Sequence, residues 1–138
     1  MDINKKLINL ALEATKFSYV PYSNFTVGAA LITKDGKIYT GCNIESASYS
    51  PTNCAERTAI FKAVSEGAKN FEKIVVVGGK NREITDYCSP CGVCRQVIAE
   101  FADENFELIL AKNENEYKIY NFFKDVFPLS FTKDDLKK

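Results

Sequence analysis

Near the N-terminus, apolar residues recur as Ile3, Leu7, Leu10, Ala14 and Phe17, the spacing of one helix face. Proline, serine and asparagine make residues 19–24 a loop. Alternation then takes over. Phe25, Val27, Ala29 and Leu31 share one face of a strand over 25–33, while Gly28 and Ala30 leave room for a helix to approach the other. Asp35-Gly36 signals a hairpin, so 37–43 should return antiparallel. A loop over 44–51 leads to a helix whose apolar face is Ala59, Ile60 and Ala63 and whose stop lies near Gly67. Thr52 or Asn53 is its candidate cap.

Ile74–Val77 is apolar on both faces, as in a central strand covered on each side. After a loop over 78–89, Pro90 opens a helix carrying Val97, Ile98 and Phe101, with Ser89 as candidate cap. A strand over 106–111 follows. The link 112–116 is too short for a crossover helix, so a strand over 117–120 must pair antiparallel with it. Residues 121–127 read as a short helix closed by Pro128, and 131–138 as a polar-ended tail. The expected fold is α/β: a three-layer helix–sheet–helix sandwich around a mixed five-stranded sheet.

At 138 residues, one domain spanning 1–138 is expected. Eighteen basic and 18 acidic residues balance without a basic block, which argues against a polyanionic nucleic-acid partner. No apolar run approaches the roughly 18 residues needed to span a bilayer. The N-terminus has an amphipathic pattern rather than a signal peptide's continuous apolar run, so a cytoplasmic location with reduced thiols is expected.

The absence of histidine limits any zinc site to cysteine, or cysteine with carboxylate. Cys91 and Cys94 fall on one face at the start of the Pro90 helix, where the dipole favours thiolate. Cys54 sits at the other helix start. Two helix N-termini presenting three sulfurs would bind zinc and leave its fourth position open, the mark of a catalytic site. Glu56, two residues on, is placed to serve a metal-bound water without ligating the metal. A structural zinc knuckle is the alternative. Cys88 makes it credible, since Cys88, Cys91 and Cys94 are evenly spaced. Cys88 precedes Pro90, outside the orienting helix, so the set Cys54, Cys91 and Cys94 is preferred. Three thiolates leave the site net negative, which a guanidinium on a ligand sulfur would offset. Arg57 is favoured for this over Arg95, for which a solvated surface position is an even alternative.

The pair of motifs, Cys54-Ala55-Glu56 and Pro90-Cys91-Gly92-Val93-Cys94-Arg95-Gln96, resembles the cytidine deaminase family, specifically its small tetrameric type. The resemblance extends over about residues 19–131. It implies hydrolysis of cytidine and 2′-deoxycytidine to uridine and deoxyuridine with release of ammonia, as in pyrimidine salvage. Zinc would lower the pKa of bound water from about 15.7 towards 7. Glu56 would orient the resulting hydroxide on ring carbon C4 and pass protons to N3 and the leaving amine.

The resemblance further implies that Asn43 and Glu45 hold the ribose hydroxyls, that Phe25 packs on the pyrimidine, and that Ala55 contacts the base through its backbone. Tyr49 and Phe131 match positions that reach a neighbouring subunit's site in a homotetramer. Blasticidin deaminases share the zinc motif but as a class differ at the ribose-binding glutamate, so a nucleoside-like antibiotic is the less favoured substrate. A structural zinc domain is the non-enzymatic alternative. The residues do not rank cytidine against deoxycytidine, nor assign a role to Cys42 or Cys88.

Overall fold

Alternation along Phe25–Thr33 (β1) splits the core in two, and the computed structural model, which describes residues 2–137, shows what each half meets. Ala30 and Ile32 point to one cluster with Leu7, Ile8 and Ala11; Ala29 and Leu31 point to another with Ala59, Ile60, Ala63 and Ile98. The first helix, Ile3–Ala14 (α1), therefore covers one face of the sheet. Ala55–Ser65 (α2) and Gly92–Phe101 (α3) cover the other.

The sheet contains β1, Ile38–Cys42 (β2), Phe71–Lys80 (β3), Glu107–Asn113 (β4) and Glu116–Asn121 (β5), in the order β2-β1-β3-β4-β5. Only β3 and β4 are parallel, joined through α3; the other neighbours are antiparallel. The five-stranded mixed sheet between two helical layers is the architecture expected from the pattern. β3 is covered on both sides, with Ile74, Val75, Val76 and Val77 all fully buried. It runs further than Ile74–Val77, taking in Gly78, Gly79 and Lys80, because β1 pairs with it as far as Phe25↔Lys80.

Two glycines set the distance between layers. A Cβ at Gly28 would lie 2.0 Å from the Ala11 carbonyl oxygen, so α1 rests directly on β1 there. A Cβ at Gly41 would lie 2.5 Å from the carbonyl oxygen of Ala55, so the start of α2 presses on β2. Both contacts require a missing side chain. The close approach at Ala11 also rotates α1 relative to its sequence pattern. Its buried face is Leu7, Ile8, Ala11 and Ala14, while Ile3 stands partly in solvent and Phe17, in the 3₁₀ turn Thr15–Phe17, is 79% exposed.

The helix starts differ from expectation. α2 and α3 have Cys54 and Cys91 at their N-cap positions, with no side-chain capping bond. Thr52 instead accepts from the Ser46 amide, and Asn53 donates to the Thr58 hydroxyl. Pro90 and Ser89 lie ahead of α3 rather than in its first turn. α2 ends as read, with the Gly67 and Ala68 amides bonded back to Val64 and Ala63. The short C-terminal helix is a π-helical turn, Phe122–Val126, with Phe122 fully buried. The tail contains a 3₁₀ turn, Asp135–Lys137; Lys138 lies outside the described residues.

Candidate active site

The N-termini of α2 and α3 meet beyond the C-terminal end of β3, the central strand, and the carboxyl ends of strands are where open α/β sheets place their ligands. Helix N-termini carry unpaired amides and the positive end of the dipole, which favours thiolate there. The sulfurs of Cys54, Cys91 and Cys94 lie within 4.8 Å of one another, with Cys54 and Cys91 3.9 Å apart. Tetrahedral zinc with Zn–S bonds of about 2.3 Å sets neighbouring sulfurs roughly 3.8 Å apart, so the trio fits one such ion. An all-sulfur donor set of this kind suits zinc over harder metals. Cys94 is buried and Cys91 exposed, so the group opens to solvent on one side.

Arg57, one helical turn beyond Cys54, donates from Nη2 to its sulfur at 3.1 Å. Among the described residues its Nε is the buried side-chain polar atom without a partner. The Cys54 thiol is brought down to about 5, chiefly by the hydrogen bond from Cys94 and, against the effect of burial, by Arg57. Cys94 is pushed up by the same bond and by burial. Holding a metal ion here would require these thiols to give up their protons.

Glu56 is 3% exposed. Burial raises its carboxyl to about 7, and the negative charge at Cys54 adds to the effect. A carboxyl that gains and loses a proton near neutrality beside three thiols is equipped for proton transfer.

The remaining predicted residues divide into two groups. Asn43, 9% exposed, accepts from the Val27 amide at 2.9 Å and donates to the Phe25 carbonyl at 2.8 Å, fixing the start of β1. Its amide keeps one N–H and a second lone pair. Glu45 accepts from the Tyr22 and Ser23 amides and from the Ser23 hydroxyl, and so pins the 19–24 loop. Beside it runs a groove of about 330 Å³ lined by Tyr22, Ser23, Glu45, Ser46, Tyr49 and Thr52. Ala55 is fully buried in the first turn of α2. Phe25 lies at the β1 terminus, its ring against Gly78.

Tyr49, Phe131 and Arg95 form the second group. Tyr49 is 80% exposed and Phe131 60% exposed. Arg95 turns away to donate to the Pro90 and Val126 carbonyls.

Cys88 stays out of the sulfur group, though not because of a helix boundary, since Cys91 also precedes the helix. Its side chain packs on Gly78 next to Phe25. Burial first, then the charges of Glu56, Cys54 and Cys91, push its thiol up to about 11. Sequence reasoning missed Ser23 as the holder of Glu45. The two are 22 residues apart and no local signal joins them.

Residues 1–109 match the model of the family described as the cytidine and deoxycytidylate deaminase zinc-binding region. A cytidine deaminase of Sporosarcina psychrophila is 47% identical over 136 residues, covering 99% of this chain and 96% of that protein. A blasticidin-S deaminase of Bacillus cereus is 34% identical, covering 94% and 92%. The crystal structure of cytidine deaminase from Burkholderia pseudomallei superposes with a TM-score of 0.81 at 43% identity, covering 91% of this chain and 97% of that one. With a clustered cysteine trio, a buried glutamate beside it and matches along nearly its whole length, the chain belongs to the cytidine and deoxycytidylate deaminase family.

Proposed function

We propose that this one-domain chain, 1–138, is a zinc-dependent hydrolase that converts cytidine and water to uridine and ammonia, and 2′-deoxycytidine to deoxyuridine. The observation that carries this reading is the buried Glu56 carboxyl, raised to about 7, at the edge of a three-sulfur group on two helix N-termini.

Cys54, Cys91 and Cys94 would hold the metal. When bound, zinc supplies Lewis acidity, which lowers the pKa of water from about 15.7 towards 7. Glu56 takes a proton from the attacking water and delivers it to pyrimidine N3. It then moves a second proton, from the newly added C4 hydroxyl, to the exocyclic nitrogen as the C4–N bond breaks, the C4 carbonyl forms and ammonia leaves. Arg57 offsets the negative charge on the Cys54 sulfur. Phe25 packs on the base and the Ala55 backbone contacts it. Asn43, with its spare N–H, and Glu45 hold the ribose hydroxyls.

Tyr49 and Phe131, exposed in the single chain, complete the pocket of a neighbouring subunit in a homotetramer. No described helix is long and apolar enough to cross a membrane. Free nucleosides and five free thiols suit a cytoplasmic salvage enzyme.

The test is purified zinc-loaded protein plus cytidine, watched for loss of the aminopyrimidine absorbance. Turnover of cytidine well above that of blasticidin S supports the reading. The reverse ranking assigns the chain to antibiotic deamination, and zinc without turnover of either makes it a structural zinc domain.

A further inference from the structure

Two consecutive side chains directly after the last cysteine of the sulfur group reach for the C-terminal segment. Arg95 donates from Nε to the Pro90 carbonyl at 2.9 Å, the peptide group that enters Cys91. Its Nη1 donates to the Val126 carbonyl at 2.7 Å. Gln96 donates from Nε2 to the Phe131 carbonyl at 2.8 Å. Between these two anchors the chain forms an arch over 127–130. Leu129 at its crown has φ +53 and is fully exposed. A leucine in the left-handed region is strained, and such strain persists where surrounding contacts over-determine the backbone. Here the anchors at 126 and 131 supply that constraint. Beyond the arch, Lys133 donates to the Glu100 carbonyl, so the tail continues along α3.

We infer that Arg95 and Gln96 are positioning residues that tie the C-terminal arch and Phe131 to the metal-binding turn. The inference rests on the proposed part of Phe131 in a neighbouring subunit's nucleoside pocket. Arg95 joins the Cys91 peptide to the near end of the arch, and Gln96 sets the far end, where the Phe131 ring projects 60% exposed. The turn that presents Cys91 and Cys94 thus also sets the height and direction of Phe131. An arginine is suited to the first task because its planar fork reaches two carbonyls at once.

The test uses the zinc-loaded full-length protein and three variants: Gln96→Glu, which keeps the shape but removes the donor, Gln96→Ala, and Gln96→Lys, which restores a donor. Zinc content should stay at the parent level in all three. Chymotryptic cleavage within 127–131 should quicken about tenfold in Gln96→Glu and Gln96→Ala, the order expected for one lost hydrogen bond. It should return towards the parent rate in Gln96→Lys. KM for cytidine should follow the same pattern, with kcat within about threefold of the parent because no reacting atom is touched. Cleavage that quickens while KM and kcat both stay at the parent values keeps the tether and removes Phe131 from nucleoside binding. Parent-like cleavage in both Gln96→Glu and Gln96→Ala overturns the tether. So does a loss confined to kcat with KM unchanged, since general destabilisation would produce that.

Discussion

Glu56 is a carboxyl almost without solvent contact, placed beside three sulfurs that must become thiolates to hold a metal. Glu56→Gln preserves its volume and removes the proton carrier. Turnover should fall by roughly 10²–10⁴ with zinc content unchanged by elemental analysis. Loss of the metal from this variant would make Glu56 a ligand instead. Glu45 gives a different titration. Its hydrogen bond with the Ser23 hydroxyl, helped by the Ser23 and Tyr22 amides, lowers its pKa from the ordinary 4.5. A depressed pKa means the carboxylate's bonds to the 19–24 loop are complete above 4.5 and are lost as pH falls through the lowered value. The amide signals of Tyr22 and Ser23 should therefore titrate below 4.5 in the parent and stay flat in Glu45→Gln. A parent midpoint above 4.5 would contradict the bonding.

Two elements give up their own capping to serve the site. A side-chain oxygen at an N-cap contributes about 1 kcal/mol over alanine, and α2 and α3 both carry sulfur there without a capping bond. The expected gain is metal affinity. Cys54→Ala, Cys91→Ala and Cys94→Ala should each lose zinc and activity, whereas Cys42→Ala and Cys88→Ala should keep both. Zinc retained in Cys91→Ala and absent from Cys88→Ala would reassign the ligands. Because the domain has its own core, losing zinc should lower the melting temperature without abolishing the fold. The contact of α1 with β1 is separately testable. Gly28→Ala pushes a methyl to 2.0 Å from the Ala11 oxygen, and such overpacking costs about 1–3 kcal/mol, readable in denaturant unfolding. Parent-like stability would mean that α1 can slide.

At the scale of the whole molecule, Tyr22, Phe25, Ile44, Tyr49 and Phe131 remain exposed in the single chain. If subunits share their sites, sedimentation should give a tetramer, and Phe131→Ala should weaken nucleoside binding with zinc intact. An active monomer unaffected by Phe131→Ala would remove the shared site but leave the chemistry at Glu56 untouched.

Alternation along β1, the doubly apolar Ile74–Val77 and the short link before β5 were enough to determine the layered mixed sheet, because side-chain period and connection length are local properties. The grouping of Cys54, Cys91 and Cys94 was equally legible, since an absence of histidine leaves few residues that can hold zinc. Helix starts were not. Thr52, Asn53 and Ser89 have the chemistry of caps, yet the close seating of α2 on Gly41 and the reach of β3 to Lys80 are accompanied by helix starts at Cys54 and Cys91. The partners of single polar groups were also decided only by the tertiary fold. Ser23 on Glu45, Arg95 on Val126, and Gln96 on Phe131 each depend on where two elements come together. A hydrogen bond acts over about 3 Å, and residue spacing along the chain carries no record of most such meetings.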